Sequence, residues 1–246
     1  MIEVRRLSAL DEFSDALKLQ QCVWGFAEVD LVPLPVFVVA SHTGGQVFGA
    51  FDGGRMIGFC LAFPGLKPGG HPYLHSHMLA VLAEYRNAGV GRLLKLAQRS
   101  EALARGLDLM EWTFDPLQIK NAYFNVARLG VIVRRYVQNE YGNTSSPLDG
   151  GLPTDRCVAE WWIASPRVET ILSTASEARA LASGRVEQRI LLPVDLDRIR
   201  REEPDRARGI QRSCAARFQD CFDRGLAVIG FERGEAEAAY LLGPWP

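Results

Sequence analysis

Between Leu79 and Leu94 the chain reads LAVLAEYRNAGVGRLL, an apolar strand that passes through a glycine-bearing turn directly into a helix. No other stretch restricts the fold as tightly. Strand side chains repeat every two residues and helix side chains about every 3.6, so the change of period forces a sharp turn at Arg86, Gly89 and Gly91. The helix that opens there has apolar positions at Val90, Leu93, Leu94, Ala97 and Ala104. Glycine lets the backbone come close to a ligand. The first N–H groups of the new helix have no intrahelical acceptor and lie at the positive end of its dipole. Such a nest suits a pyrophosphate, although a turn of this composition also occurs without a ligand. A dinucleotide fingerprint fits less well, because Leu94 stands where a third glycine belongs, and no Gly-Lys-Ser/Thr follows to make a P-loop.

A chain of 246 residues, 48% hydrophobic, can bury a full core and is expected to form one enlarged domain or a domain and a half. Its formal net charge of −1 gives no electrostatic reason to expect nucleic acid or an anionic membrane as partner. The opening Met-Ile-Glu-Val-Arg-Arg lacks the apolar core of a signal peptide, and no uncharged run is long enough to span a bilayer, so a cytoplasmic location is expected. Cys22, Cys60, Cys157, Cys214 and Cys221 are odd in number and scattered, which predicts reduced, buried thiols, with neither a disulfide framework nor a metal site.

Along the chain, residues 2–7 alternate as a strand. Leu10 to Trp24 reads as a helix with Leu10, Phe13, Leu17, Gln20 or Gln21, and Trp24 on one face, stopped by Gly25. A second short helix is expected over Val36 to Ala40. Gln46–Phe51 and Arg55–Phe63 read as an antiparallel hairpin around Asp52-Gly53-Gly54. The strand from Tyr73 to Ala83 feeds the turn, the following helix ends at Gly106, and Leu109–Phe114 is the next strand, which makes a crossover with parallel strands. Further on, the pattern predicts a helix over Lys120–Leu129, a strand over Val131–Val137, a polar loop from Gly142 to Arg156 and a strand over Val158–Ala164. After a connector with a helix around Glu169 to Ala182 come a strand (Val186–Leu192), a helix (Pro204–Arg224) and a hairpin over Leu226–Leu242. These last elements are expected to extend the main sheet, cover it, or pair with a second chain.

Arg86, Gly89 and Gly91 match the Gln/Arg-x-x-Gly-x-Gly/Ala loop of motif A, and in this the sequence resembles the GNAT acyltransferase superfamily; the order of elements over roughly residues 1–165 is also similar. The resemblance implies an α/β GNAT fold: a mixed central sheet with a parallel strand pair at the acyl-CoA cleft. Residues 1–165 would form this domain and residues 166–246 a C-terminal α/β extension. It further implies that an acyl-CoA, acetyl-CoA or a longer or dicarboxylic homologue, is co-substrate, with its phosphates at Arg86, Asn87, Ala88, Gly89, Val90, Gly91 and Arg92. Lys95, a turn beyond, is a further candidate phosphate contact. Backbone groups from Leu79 to Val81 would meet pantetheine and the acyl carbonyl.

In such a family the acyl group passes to an amine by direct attack, which needs a base for the amine proton, donors for the oxyanion and often an acid for the thiolate. The titratable side chains on the two central strands are His75, His77, Glu111 and Asp115. Alternation puts His75, His77, Leu79 and Val81 on one face, which makes His77 the candidate base, although a strand histidine also serves as an ordinary hydrogen-bonded core residue. The resemblance fails at the helix ending in Leu129-Gly130. Aligned there, Ile119 and Val126 stand where many members carry the pantetheine-contacting Asn and the proton-donating Tyr. Asn121 is displaced by two residues, and either Tyr141, Tyr123 or water supplies the acid, or none is needed because a thiolate leaves readily. Thr154, Asp155 and Arg156 close the long loop, and the planar fork of Arg156 suits a substrate carboxylate. The leading reading is an N-acyltransferase acting on a small amine, amino acids among the candidates, with a homodimer through the extension as one arrangement. A protein N-acetyltransferase and a non-catalytic CoA-binding sensor are the alternatives.

Overall fold

The computed structural model describes residues 1–142, 144–147, 150–173 and 185–245. It divides into two compact units, Met1–Glu111 with Thr144–Leu148, and Trp112–Asn143 with Asp149–Pro246. No single described helix is long and apolar enough to cross a membrane.

The first unit runs β1 (Glu3–Arg6), α1 (Leu10–Trp24), α2 (Leu34–His42), β2 (Gln46–Asp52), β3 (Arg55–Leu66), β4 (Pro72–Val81), α3 (Val90–Ala104) and the start of β5 (Leu109–Phe114). Its strands lie in the order β1-β2-β3-β4-β5. All neighbours are antiparallel except β4 and β5, where Leu74 faces Met110 and His75 faces Glu111 in parallel. The β2–β3 hairpin closes at Asp52↔Arg55, and Gly53 and Gly54 at φ 56° and 86° supply the left-handed turn that matches strand twist. At the start of α1, Glu12 accepts the backbone N–H groups of Ser8 and Ala9 at 2.9 and 3.1 Å. The apolar face of α1 is rotated from the expected one. Phe13, Ala16, Leu19 and Gln20 are buried while Leu10 is 62% exposed, because the Gln20 amide turns inward to bond both the C=O and the N–H of Val32.

Both faces of this sheet are covered. Phe13, Leu19, Phe37, Phe59, Leu61, Met78 and Ala80 form the cluster under α1 and α2. Cys60, Val90 and Leu94 form the smaller one under α3, joined by Leu79 and Val81.

The second unit continues from β5 through α4 (Ile119–Tyr123), a π turn (Phe124–Arg128), β6 (Ile132–Val137), β7 (Arg156–Trp162), α5 (Pro166–Ser173), β8 (Gln188–Pro193), α6 (Leu196–Glu202), α7 (Pro204–Asp223), β9 (Leu226–Arg233) and β10 (Glu237–Pro244). Of the helix expected over Glu169–Ala182, the part from 174 to 182 lies outside the described residues. α6 has no counterpart in the sequence reading. β6 pairs with β7 and with β9, and β10 pairs with both β9 and β8, all antiparallel. The C-terminal strands therefore extend the sheet that β6 and β7 begin. For that reason compactness draws its line at Glu111/Trp112, a different place from the change of composition at 165/166.

The α7 side of this unit is an aromatic stack. Phe218 lies 5.4 Å from Tyr136, 5.5 Å from Phe222 and 5.0 Å from Tyr240, centroid to centroid. Tyr240 donates from its hydroxyl to the Pro116 carbonyl at 2.7 Å, so β10 is tied to the segment after β5. Phe218→Ala should destabilise the protein by about 3–5 kcal/mol, the range for truncating a buried aromatic. Leu10→Ala on α1 should change stability by less than about 0.5 kcal/mol. Urea unfolding of the two variants checks both values.

Candidate active site

The turn after β4 has the geometry of an anion nest. A 3₁₀ turn, Ala83–Tyr85, leads to an extended Arg86 (φ −66°) and then to Asn87 and Gly89 at φ 67° and 82°. The Leu93 N–H reaches the Gly89 carbonyl at 3.0 Å, so Val90 and Gly91 present their N–H groups ahead of the α3 ladder. A Cβ built on Gly91 meets only Leu79 Cδ2, at 3.5 Å. Packing within the protein thus leaves room at Gly91. Gly89 differs, since its positive φ disfavours any side chain. Arg86 is exposed, its Nε 3.4 Å from the Val81 carbonyl. The turn therefore presents backbone donors beside an exposed guanidinium, a set suited to a diphosphate. From Ser76 to Val81, β4 pairs among the described residues with β3, so its other edge has backbone groups for a pantetheine arm.

β4 does not keep simple alternation. Leu61 faces Met78 but Ala62 faces Ser76, so His77 is an extra residue, a β-bulge. The expectation that His75, His77, Leu79 and Val81 share a face is corrected accordingly. Ser76, Leu79 and Val81 turn toward α3, whereas His77 packs on Phe63 (5.6 Å) and His75 (6.1 Å) on the α1/α2 side. A bulge shifts the phase of every side chain beyond it. Desolvation pulls both imidazoles below the ordinary histidine value, His75 to about 4, where the His77 and Lys95 charges add to the effect against the opposing pull of Glu111. Both rings are consequently neutral at pH 7, the state in which a histidine accepts a proton. Glu111, buried on β5, takes the Lys67 ammonium at 2.5 Å.

Lys95 is not a phosphate ligand. It is 3% exposed, with its Nζ donating to Ser76 Oγ at 2.7 Å under the sheet. Helix phase decides this, for Lys95 shares the inward stripe of Leu94, Gln98 and Ala102. Arg92 is half-buried, and Leu93, expected in the apolar stripe, is 40% exposed.

In the second unit, Asn121 accepts from Asn125 Nδ2 at 3.1 Å, and Asn125 accepts from Trp112 Nε1 at 3.2 Å. The π turn lies between Asn121 and Leu129. It adds a residue to the helix, so counting back from Leu129-Gly130 does not preserve helical phase, and Val126 is buried at 0% exposure. Tyr123 lies under the Arg233 guanidinium, 5.5 Å from its ring.

Tyr141, Thr154, Asp155 and Arg156 come together around one turn. The Asp155 carboxylate accepts from Tyr136 OH (2.7 Å) and the Asn139 N–H (3.0 Å), while Thr154 Oγ1 accepts the Tyr141 N–H (2.9 Å) and bonds the Gly142 carbonyl (3.0 Å). Burial and the Asp155 bond hold the Tyr136 hydroxyl far above the usual phenol range. The Tyr141 hydroxyl meets Thr113 Oγ1 of β5 at 2.6 Å, and the half-buried Arg156 guanidinium stands 5.4 Å from the Tyr141 ring. Thr113 was not a sequence candidate. Alternation along β5 marks it as half-exposed beside the buried Trp112 and Phe114, but nothing local ties it to Tyr141.

Residues 11–124, somewhat under half of the chain, match the model of the acetyltransferase (GNAT) family. Members of that family use acetyl-CoA as co-substrate. Among solved structures, the ribosomal-protein-S18-alanine N-acetyltransferase from Escherichia coli is similar, with TM-score 0.54 and 16% identity over 67% of this chain and 96% of that one. Arabidopsis thaliana Naa50, in complex with a bisubstrate analogue, gives 0.51 and 15% over 65% and 97%. Aminoglycoside 6'-acetyltransferase type Ii gives 0.53 and 16% over 66% and 98%. At these identities the likeness is one of fold. A comparison with curated proteins gives no match.

Gly91→Glu should weaken CoA binding at least about tenfold, since a single like-charge or steric clash is worth upwards of about 1.4 kcal/mol. Its melting temperature should stay near that of the parent, because the Cβ has room. Titration calorimetry with CoA, alongside a thermal melt, checks the pair of outcomes.

Proposed function

We propose that the protein transfers an acetyl group from acetyl-CoA to the amine of a small molecule that also carries a carboxylate, with an amino acid as the leading acceptor. The observation that carries the acceptor reading is the Arg156 guanidinium held against the Tyr141 ring, with the Tyr141 hydroxyl on Thr113. A planar fork braced by an aromatic face keeps its direction, and a carboxylate is the anion whose two oxygens match it. Thr154 and Asp155 serve to place the turn, since their oxygens are bonded to it.

In this proposal the phosphates lie on the Arg86–Arg92 turn, with Leu79 and Val81 offering backbone groups to the pantetheine arm and Asn121 contributing from α4. The amine nitrogen attacks the thioester carbon, His77 accepts the amine proton, and the C–S bond breaks as the carbonyl reforms. Tyr141 is the candidate acid for the departing sulfur. Release of thiol from acetyl-CoA against a panel of amino acids, their decarboxylated amines and peptide N-termini tests the assignment. Preference for peptides would favour a protein acetyltransferase, and no release with any amine a CoA-binding sensor.

Arg156→Ala should lower kcat/KM for amino acids by roughly 30- to 1000-fold, equivalent to about 2–4 kcal/mol for truncating one partner of a desolvated charge pair. Decarboxylated amines should lose little. Equal losses for both classes would leave Arg156 a scaffold residue.

The pH dependence follows from the direction of the His77 shift. With its value depressed below the ordinary 6.5 of histidine, the ring stays unprotonated down to mildly acid pH. The acid limb of kcat/KM should therefore fall below pH 6.5 and disappear in His77→Gln, as a rate profile from pH 5 to 9 will read.

A further inference from the structure

Beneath the bulge lies a buried polar chain that no binding role accounts for. Lys95 Nζ donates to Ser76 Oγ (2.7 Å), Ser76 Oγ donates to Gln98 Oε1 (3.0 Å), and the Gln98 backbone carbonyl accepts from Gln46 Nε2 (2.9 Å). All four residues are at most 4% exposed. Desolvation drives the Lys95 ammonium down to about 7, opposed by Cys60 across β3. Gln98 Nε2 and Gln46 Oε1 are buried without a partner. For stability alone this is a poor choice of residues. An apolar side chain of similar volume at position 95 would avoid the penalty of confining an ammonium, and replacing such groups is often neutral or stabilising.

The place of the chain in the fold explains its presence. Ser76 is the last β4 residue before the bulge, and His77 is the bulge. A bulged strand bends and twists locally, and its extra residue has no ladder partner to fix its direction. A lateral bond from α3 to the residue before it supplies that missing constraint. We propose that Lys95, acting through Ser76, is a positioning residue that holds β4 at the bulge and so sets the direction in which His77 is presented. This rests on the proposed role of His77 only for its kinetic consequence, because the geometry can be read independently.

His77 is itself the probe. The charged groups that act on its neighbour His75 are His77 itself, Glu111, Lys95 and Lys67. Lys95 acts on the charge of His75, whereas the His77 value is depressed by desolvation. Ser76→Ala breaks the lateral bond while keeping the Lys95 charge, so a change at His77 in that variant reports movement of the strand. In imidazole NMR titrations of the full chain, Lys95→Met and Ser76→Ala should each bring His77 closer to the ordinary value near 6.5. The double variant should match the single ones, since the residues act as one unit. Ser76→Thr, which keeps the hydroxyl, should restore the parent titration. Lys95→Met should melt at or above the parent temperature while kcat for acetyl-CoA and the best acceptor falls about tenfold.

A parent-like His77 titration in folded Lys95→Met and Ser76→Ala would overturn the inference, as would Ser76→Thr behaving like Ser76→Ala. Should His77→Gln keep the parent rate, the base role of His77 fails, while the titration still decides whether Lys95 positions the strand.

Discussion

Everything at the candidate base depends on one irregularity in strand pairing. Counted back from Leu79 and Val81, plain alternation would turn His77 toward α3, into the Cys60–Leu94 cluster. The single inserted residue keeps the apolar set beyond it on the right faces while leaving the imidazole beside Phe63 and His75. A sheet buried on both sides tolerates no longer slip, because each one-residue shift sends a whole face of side chains the wrong way.

That irregularity is paired with a second departure from plain packing. The inward stripe of α3 carries Lys95 and Gln98 where apolar residues would pack with less penalty, and both reach the β4 residue just before the bulge. The same helix opens at the glycine turn. One element therefore leaves its first N–H groups outside its own ladder and, a turn and a half later, sends a buried ammonium to the strand. Burial sets the states of these groups. Desolvation pulls both imidazoles and the lysine toward their neutral forms, since charge in a desolvated place is expensive.

The second unit solves a different problem. β6 and β7 need neighbours, and the C-terminal residues supply them by adding β9, β10 and β8 and covering one face with α7. The Tyr141–Arg156 turn is built just before β7, on carboxylate and hydroxyl groups that bond backbone. Asp155 and Thr154 hold the turn through backbone bonds, and Arg156 donates to the Asp155 carbonyl at 3.0 Å beside the Tyr141 ring.

Local chemistry in the sequence was enough to specify the strand–turn–helix with its glycines, the Asp52-Gly53-Gly54 hairpin, α1 with its Gly25 stop, the parallel crossover into β5, and the resemblance to the GNAT family through Arg86, Gly89 and Gly91. Each rests on backbone preferences or periodicity confined to a few neighbouring residues. Tertiary structure alone decided the bulge at His77, the inward turn of Lys95, the π turn that shifts the helix before Leu129, the meeting of Thr113 with Tyr141, and the joining of β9 to β6. Those depend on which face of one element meets another, and on burial energies of side chains far apart in sequence, where a one-residue change of phase costs nothing locally and redirects every contact.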